Sequence, residues 1–161
     1  MSPAFVQSKG QDLYRRSVYT TWKRTTPMPS QILFDATSRE ACTVRRQSTD
    51  TPLQALVLLN DVQFLEAARA LADLVLKTSD SDSHRIAVAF KRLAGRNPDE
   101  RETSILLETL KEQRTQFDPN SAQKFLRIGD SKAAYSDPVE LAAMTVTVQT
   151  VLNSDAVVWK R

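Results

Sequence analysis

The sequence predicts a mainly α protein, an irregular helical bundle of about six helices with a long N-terminal connector, and three observations carry that expectation. One helix-start device occurs at Thr51-Pro52-Leu53-Gln54, Asn97-Pro98-Asp99-Glu100 and Asp137-Pro138-Val139-Glu140. Each sets a capping side chain first, proline at the first helical position where its missing N–H costs nothing, and Glu or Gln three residues after the cap. Between these starts, apolar residues recur at i, i+3 and i+4, the spacing that paints a stripe along a helix. The chain of 161 residues, 41% hydrophobic and 25% charged, reads as a single helical domain, 1–161, able to bury a core of its own.

Taken from the N-terminus, Leu13, Tyr14, Val18 and Trp22 suggest an amphipathic helix flanked by Arg15, Arg16, Lys23 and Arg24. Thr26-Pro27-Met28-Pro29 stops it, because two prolines at that spacing deny helix donors. From Gln31 to Asp50 an irregular buried connector is expected, with one helical turn at Ile32-Leu33-Phe34 and an extended Ala41–Arg46.

From Pro52 the stripe runs through Leu56, Val57, Phe64, Leu65, Ala68, Leu71, Ala72 and Val75 towards a core. Asn60-Asp61 interrupts it; both side chains compete for backbone hydrogen bonds, so a short helix followed by a longer one ending near Lys77 is expected, with a continuous helix as the alternative. Residues 78–83 form a polar loop that also supplies a cap. Ile86, Ala87, Phe90 and Leu93 mark the next helix, closed by Gly95 in a left-handed conformation.

From Pro98 the stripe is Ile105, Leu106, Leu110 and Phe117, ending near Asp118-Pro119. A shorter helix from Ser121 to Ile128 buries Phe125, Leu126 and Ile128 before Gly129-Asp130-Ser131 turns the chain. The last helix begins at Pro138 and uses Leu141, Met144, Thr145, Val148, Val151 and Leu152. Its Val/Thr content would also suit a strand over Val146–Val151, but the cap and the spacing favour helix. Ala156–Trp159 is expected as a short strand or an extended docking segment.

Several function classes are excluded or disfavoured. The longest apolar run, Leu53–Leu59, is far short of the roughly 20 residues that span a bilayer, so no membrane insertion is expected. The N-terminus lacks a charged start, an apolar stretch and a cleavage site, so it does not read as a signal peptide. One cysteine (Cys42) and one histidine (His84) exclude an internal disulfide, a covalent haem motif and a zinc site of several Cys and His ligands. Three glycines cannot build a phosphate-cradling loop. A carboxylate-only Ca²⁺ or Mg²⁺ site stays open, but no segment has the alternating Asp/Asn pattern with a central glycine of a Ca²⁺-binding loop, so no cofactor and no metal are expected.

The densest polar cluster comprises Asp35, Arg39, Glu40, Cys42, Arg45, Arg46 and Asp61, with Asp50, Gln54 and Asn60 close by. Its ordinary reading is mutual pairing, since an unpaired buried charge costs several kcal/mol. The sharper reading is an anion-binding or catalytic pocket, Arg45 or Arg46 holding a carboxylate, sulfate or phosphate and Asp35 or Asp61 acting as base. Cys42 reads as a buried, inert thiol, because His84 lies on a separate helix at an exposed start. Residues 1–46 carry eight Lys/Arg against three acids, so the net charge of +3 divides into +5 here and −2 in the remainder. Tyr14, Tyr19 and Trp22 among those basic residues could stack bases, yet basic amphipathic helices far outnumber true nucleic-acid readers.

Several blocks together resemble a known family: Tyr19-Thr20-Thr21-Trp22-Lys23-Arg24, Phe34-Asp35-Ala36, Arg39-Glu40-Ala41-Cys42-Thr43-Val44-Arg45-Arg46, Thr51–Leu56 and Leu59-Asn60-Asp61. With Ala89-Phe90, Gly95-Arg96, Glu140–Ala143 and Leu152-Asn153 they are similar to the C-terminal planctomycete-type domain of unknown function. That domain ends large proteins that often carry a cytochrome c-like segment and another uncharacterised domain upstream. Val62 and Asp50 depart from the family pattern, which has proline and asparagine there. The resemblance implies that the chain is the C-terminal fragment of a parent exported to the periplasm or cell envelope, any haem belonging to the upstream segment. It brings no activity and no catalytic residues.

The leading expectation is thus a non-enzymatic helical module docking on the upstream domain of its parent, in an envelope complex of redox or polymer-degrading chemistry. Its rival is half of an active site, with Asp35, Arg39, Arg45, Arg46 and Asp61 lining a cleft that the upstream domain completes. Nucleic-acid binding is a weaker third.

Overall fold

The computed structural model describes residues 8, 10–20, 22, 27–38, 40–45, 48–127 and 137–158. Among these the regular structure is helical, with eight α-helices and no strand: α1 Pro29–Leu33, α2 Pro52–Asn60, α3 Val62–Leu76, α4 Asp82–Ala94, α5 Glu100–Gln116, α6 Pro119–Leu126, α7 Pro138–Leu152 and α8 Asp155–Val158. The mainly α class is the one expected. Two compact units divide the chain, Met1–Val57 and Leu58–Arg161.

In the second unit α7 is the central helix, packed against α3, α5 and α6 and touching α4 and α8. Leu141, Ala142, Ala143, Met144, Thr145, Thr147, Val148, Gln149 and Val151 are all buried, so most of the α7 surface is enclosed, Thr150 alone of its described residues being exposed. Enclosure explains how a helix so rich in threonine is tolerated. Thr145 Oγ1 donates to the Leu141 carbonyl at 2.7 Å and Thr147 Oγ1 to Ala143 at 2.9 Å, so neither hydroxyl is buried unpaired. The strand alternative over Val146–Val151 is not adopted. Around α7 the core collects Ala72, Val75 and Leu76 from α3, Ile86 and Phe90 from α4, and Leu106 and Leu110 from α5.

The helix ends follow from capping chemistry. Asp61 breaks α2 from α3 as expected, its carboxylate accepting from Gln63 N at 2.9 Å. Gly95 ends α4 at φ +75°, a conformation that costs an L side chain energy and glycine none. At Thr51 the reciprocal box forms, with Thr51 N donating to Gln54 Oε1 at 2.9 Å and Gln54 N donating to Thr51 Oγ1 at 3.3 Å.

Several expectations are corrected. The cap of α5 is Asp99, not Asn97: Glu102 N donates to Asp99 Oδ1 and Asp99 N to Glu102 Oε2, and Arg96 holds that same Glu102. Asn97 offers the equivalent start two residues earlier, but only the Asp99 register places a glutamate within reach of both the cap and Arg96. Likewise α6 begins at Pro119, with Asp118 and Ser121 closing a capping box. At α7 the Asp137 carboxylate accepts from Val139 N and Glu140 N, while the Glu140 carboxylate faces Arg85 and Arg114. The C-terminal Asp155–Val158 is a helical turn rather than a strand or extended segment, with Val158 N donating to Ser154 O at 3.1 Å.

Leu56 and Ile105, expected in the core, are 56% and 50% exposed. On α2 the buried residues are Gln54 and Leu58, four apart, which turns Leu53, Leu56 and Leu59 outward. Near the N-terminus the expected amphipathic helix gives way to 3-10 turns at Gly10–Tyr14 and Ser17–Tyr19, with Tyr14, Val18 and Tyr19 exposed. With these three side chains at the surface, a helix here would lack much of the packing that offsets its nucleation cost. Lys23, Arg24, Ile128, Gly129-Asp130-Ser131 and Trp159 lie outside the described residues. Among those described, no helix is long and apolar enough to cross a membrane.

Candidate functional site

Residues of the sequence cluster take up distinct structural tasks. Asp35 follows α1 at φ +56°, a left-handed conformation that aspartate tolerates better than most residues. Its carboxylate accepts from Thr49 N at 2.8 Å and from Thr49 Oγ1 at 2.8 and 3.0 Å. Gln54 continues this clasp, its Nε2 donating to the Leu33 carbonyl at 2.6 Å and to Thr49 Oγ1 at 3.2 Å. At 2% exposure, Gln54 is a polar side chain admitted to the interior because its amide is bonded at both ends.

Asp61 belongs to the second unit and caps α3. Glu40, Cys42 and Arg45 are exposed, and Arg39 and Arg46 lie outside the described residues. The exposed Cys42 corrects the expectation of a buried thiol: it sits in an irregular segment whose other described residues, Glu40 to Arg45, are also at the surface. His84 is exposed, at the first turn of α4. Asp35 and Asp61, the two proposed bases, thus each direct a carboxylate oxygen at a backbone N–H.

Among the described residues, a closely knit group of charges lies outside that cluster. Arg114 of α5 uses one edge of its guanidinium on Asp82, Nη1 to Oδ2 at 2.6 Å and Nη2 to Oδ1 at 2.8 Å. The other edge meets Glu140, with Nε to Oε2 at 2.7 Å and Nη2 to Oε1. Arg85 adds Nη1 contacts to Asp82 Oδ1 at 3.2 Å and Glu140 Oε1 at 3.3 Å, and donates Nε to the Ser79 carbonyl at 2.6 Å. The Arg114 guanidinium, hydrogen-bonded to Asp82, holds that carboxyl below the usual carboxylate range, and the charge of Arg85 adds to it. Asp82 and Glu140 in turn push the Arg114 pKa above its ordinary value. Every oxygen of the two carboxylates meets a guanidinium. An Asp with a lowered pKa, engaged in this way, is a poor proton acceptor near neutral pH, so the network acts as a clamp joining α4, α5 and α7.

A second tie is buried. Arg69 on α3 donates Nη1 to the Leu126 carbonyl at 2.6 Å, satisfying the C-terminal end of α6, and lies 3.7 Å from Glu66. At the junction of α5 and α6, the Phe117 and Phe125 rings lie 5.5 Å apart. The Asp82–Arg85 spacing was visible in the sequence; Glu140 was marked only as a capping residue, and Arg114, distant in the chain, carried no local signal. Among the described residues no group of three or more His, Cys, Asp or Glu could hold a metal ion.

Compared with known proteins, residues 2–110 match the model of a family described as PSD1, protein of unknown function (DUF1553). The matched span takes in α1–α4 and most of α5, including the 19–24, 34–36, 39–46 and 51–61 blocks. No curated protein and no solved structure matches the chain.

Proposed function

As the chain belongs to the PSD1 family, a family of unknown function, we propose that it is a helical docking module that seats on the upstream domain of its parent protein within an envelope-associated complex. The observation that carries this reading is the outer edge of α2. Leu53 and Leu59 are 59% and 44% exposed, while Gln54 on the other side of the helix is buried. Apolar side chains gathered on one side of a helix are the kind of surface that partners bury.

The polar groups favour docking over the rival active site. Of its two candidate bases, Asp35 accepts from Thr49, and Asp61, the cap of α3, accepts from Gln63 N. The Asp82–Arg85–Arg114–Glu140 clamp ties helices together with its charges mutually compensated.

The test is calorimetric titration of this chain with the separately produced upstream segment. Saturable binding is expected, weakened at least about tenfold by Leu53→Lys with Leu59→Lys, while the variant keeps its helical circular dichroism. Absence of binding with both components folded, or an unaltered affinity in the variant, contradicts the proposal.

A further inference from the structure

Where α2 ends, a side chain from α7 takes the place of a helical hydrogen bond. In a continuous helix Gln63 N would donate to the Leu59 carbonyl, four residues back. Asp61 Oδ1 instead accepts that N–H at 2.9 Å as it caps α3, which leaves the Leu59 carbonyl an orphan of the helix end. Gln149 Nε2 donates to this carbonyl at 3.1 Å. Gln149 is 4% exposed and belongs to α7, the central helix of the second unit, so its amide ties the end of α2 to the core.

The tie bridges a bend. Asp61 is extended, at φ −70° and ψ 134°, between two helical segments, and a rotation there re-aims the last turn of α2. Bends of this kind take their form from the side chains that enter the hydrogen-bond ladder, here Asp61 and Gln149. Among the described helices α3, α4, α5, α6 and α8 each pack against α7, whereas α2 has no comparably extensive contact with another helix. Leu59, whose carbonyl Gln149 holds, is one of the two leucines on the exposed edge of α2.

We infer that Gln149 is a positioning residue for docking: by bonding the Leu59 carbonyl across the α2–α3 bend, it sets the angle at which Leu59 is presented to the partner. The inference rests on the docking reading and names what holds that surface in place. Gln149 is buried and acts through Leu59. A side chain without an N–H at 149 leaves the bend untied, so binding must order the bend as well as bury the leucine.

The experiment titrates the folded chain with the upstream segment, comparing wild type, Gln149→Met, Gln149→Leu, Leu59→Lys and the Gln149→Met/Leu59→Lys double variant. Circular dichroism and the melting midpoint are recorded for each. Methionine keeps the length of glutamine and lacks its N–H, so the space beside α7 stays filled. The inference expects Gln149→Met and Gln149→Leu, both folded, to weaken binding at least about tenfold. Once Leu59 is lysine, Gln149→Met should cost no further affinity, because the two changes act on one contact. A lowered melting midpoint with wild-type affinity in both 149 variants overturns the inference, even where Leu59→Lys loses binding and the docking reading stands. Fully additive losses in the double variant overturn it too, since Gln149 then acts elsewhere than through Leu59. Unfolding of both 149 variants also overturns it, because an amide whose loss collapses the bundle is core structure rather than a means of aiming Leu59. Wild type failing to bind overturns both the inference and the docking reading.

Discussion

Arg114 on α5 and Glu140 on α7 meet edge to edge, Nε lying 2.7 Å from Oε2 while Nη2 reaches Oε1. Because the same guanidinium grips Asp82 on α4 with its other edge, one residue joins three helices of the bundle. Lysine could not do this, since an ammonium lacks the planar fork.

Arg114→Ala leaves two carboxylates facing each other with Arg85 alone. The side chain is 29% exposed, so the loss is expected at about 2–3 kcal/mol, below that of a fully buried pair. Urea denaturation measures it, and Arg114→Lys should recover less than half. Full recovery by lysine would show that charge alone matters.

The lowered pKa of Asp82 fixes a direction for pH dependence. A depressed carboxyl contributes stability that is present above its unfolded value, near 3.8, and lost as pH falls through the folded value. Asp82→Asn should therefore be less stable than wild type by about 1–2 kcal/mol at neutral pH, and the gap should close below about pH 4. Denaturation midpoints across that range test this; a gap independent of pH contradicts it.

Gln54→Leu keeps the volume but removes the amide that bonds the Leu33 carbonyl and Thr49. Stranding that carbonyl should cost roughly 1–3 kcal/mol. Amide hydrogen exchange should speed up at Thr49 and Thr51 while the second unit keeps its protection. Uniform acceleration through α7 would contradict a local role.

Gly95→Ala isolates a backbone effect. A Cβ there meets nothing within 4 Å, so only the left-handed φ of +75° resists it. The expected cost is about 1–2 kcal/mol, read as a fall in melting temperature of a few degrees; a neutral result would show that α4 ends without that conformation.

Elements with a local cause could be read in advance. The Asp61 break, the Gly95 terminus and the Thr51 box are set by side chains bonding backbone within a few residues. Asn97 against Asp99 was ambiguous because both registers offer an acceptor, and the choice turns on Arg96 holding Glu102. The N-terminal turns show the opposite failure: Leu13, Tyr14, Val18 and Trp22 have helical spacing, yet Tyr14 and Val18 remain exposed. Spacing reveals which residues could share a face, not whether a core exists to receive it.

The candidate site was legible in part. Asp35 and Gln54 were marked as polar residues needing partners, and both have them at Thr49. The charged clamp was invisible because Arg114 finds Asp82 and Glu140 only after three helices pack. The outward face of α2 was missed because its leucines obey core spacing, while the buried position belongs to glutamine.

The central claim is tested most directly by hydrogen–deuterium exchange on this chain, alone and saturated with the upstream segment. Docking through α2 predicts that side-chain burial there slows amide exchange over residues 52–60, with exchange in α7 unchanged. Equal exchange over 52–60 in the two states, with complex formation confirmed by mass, would contradict it.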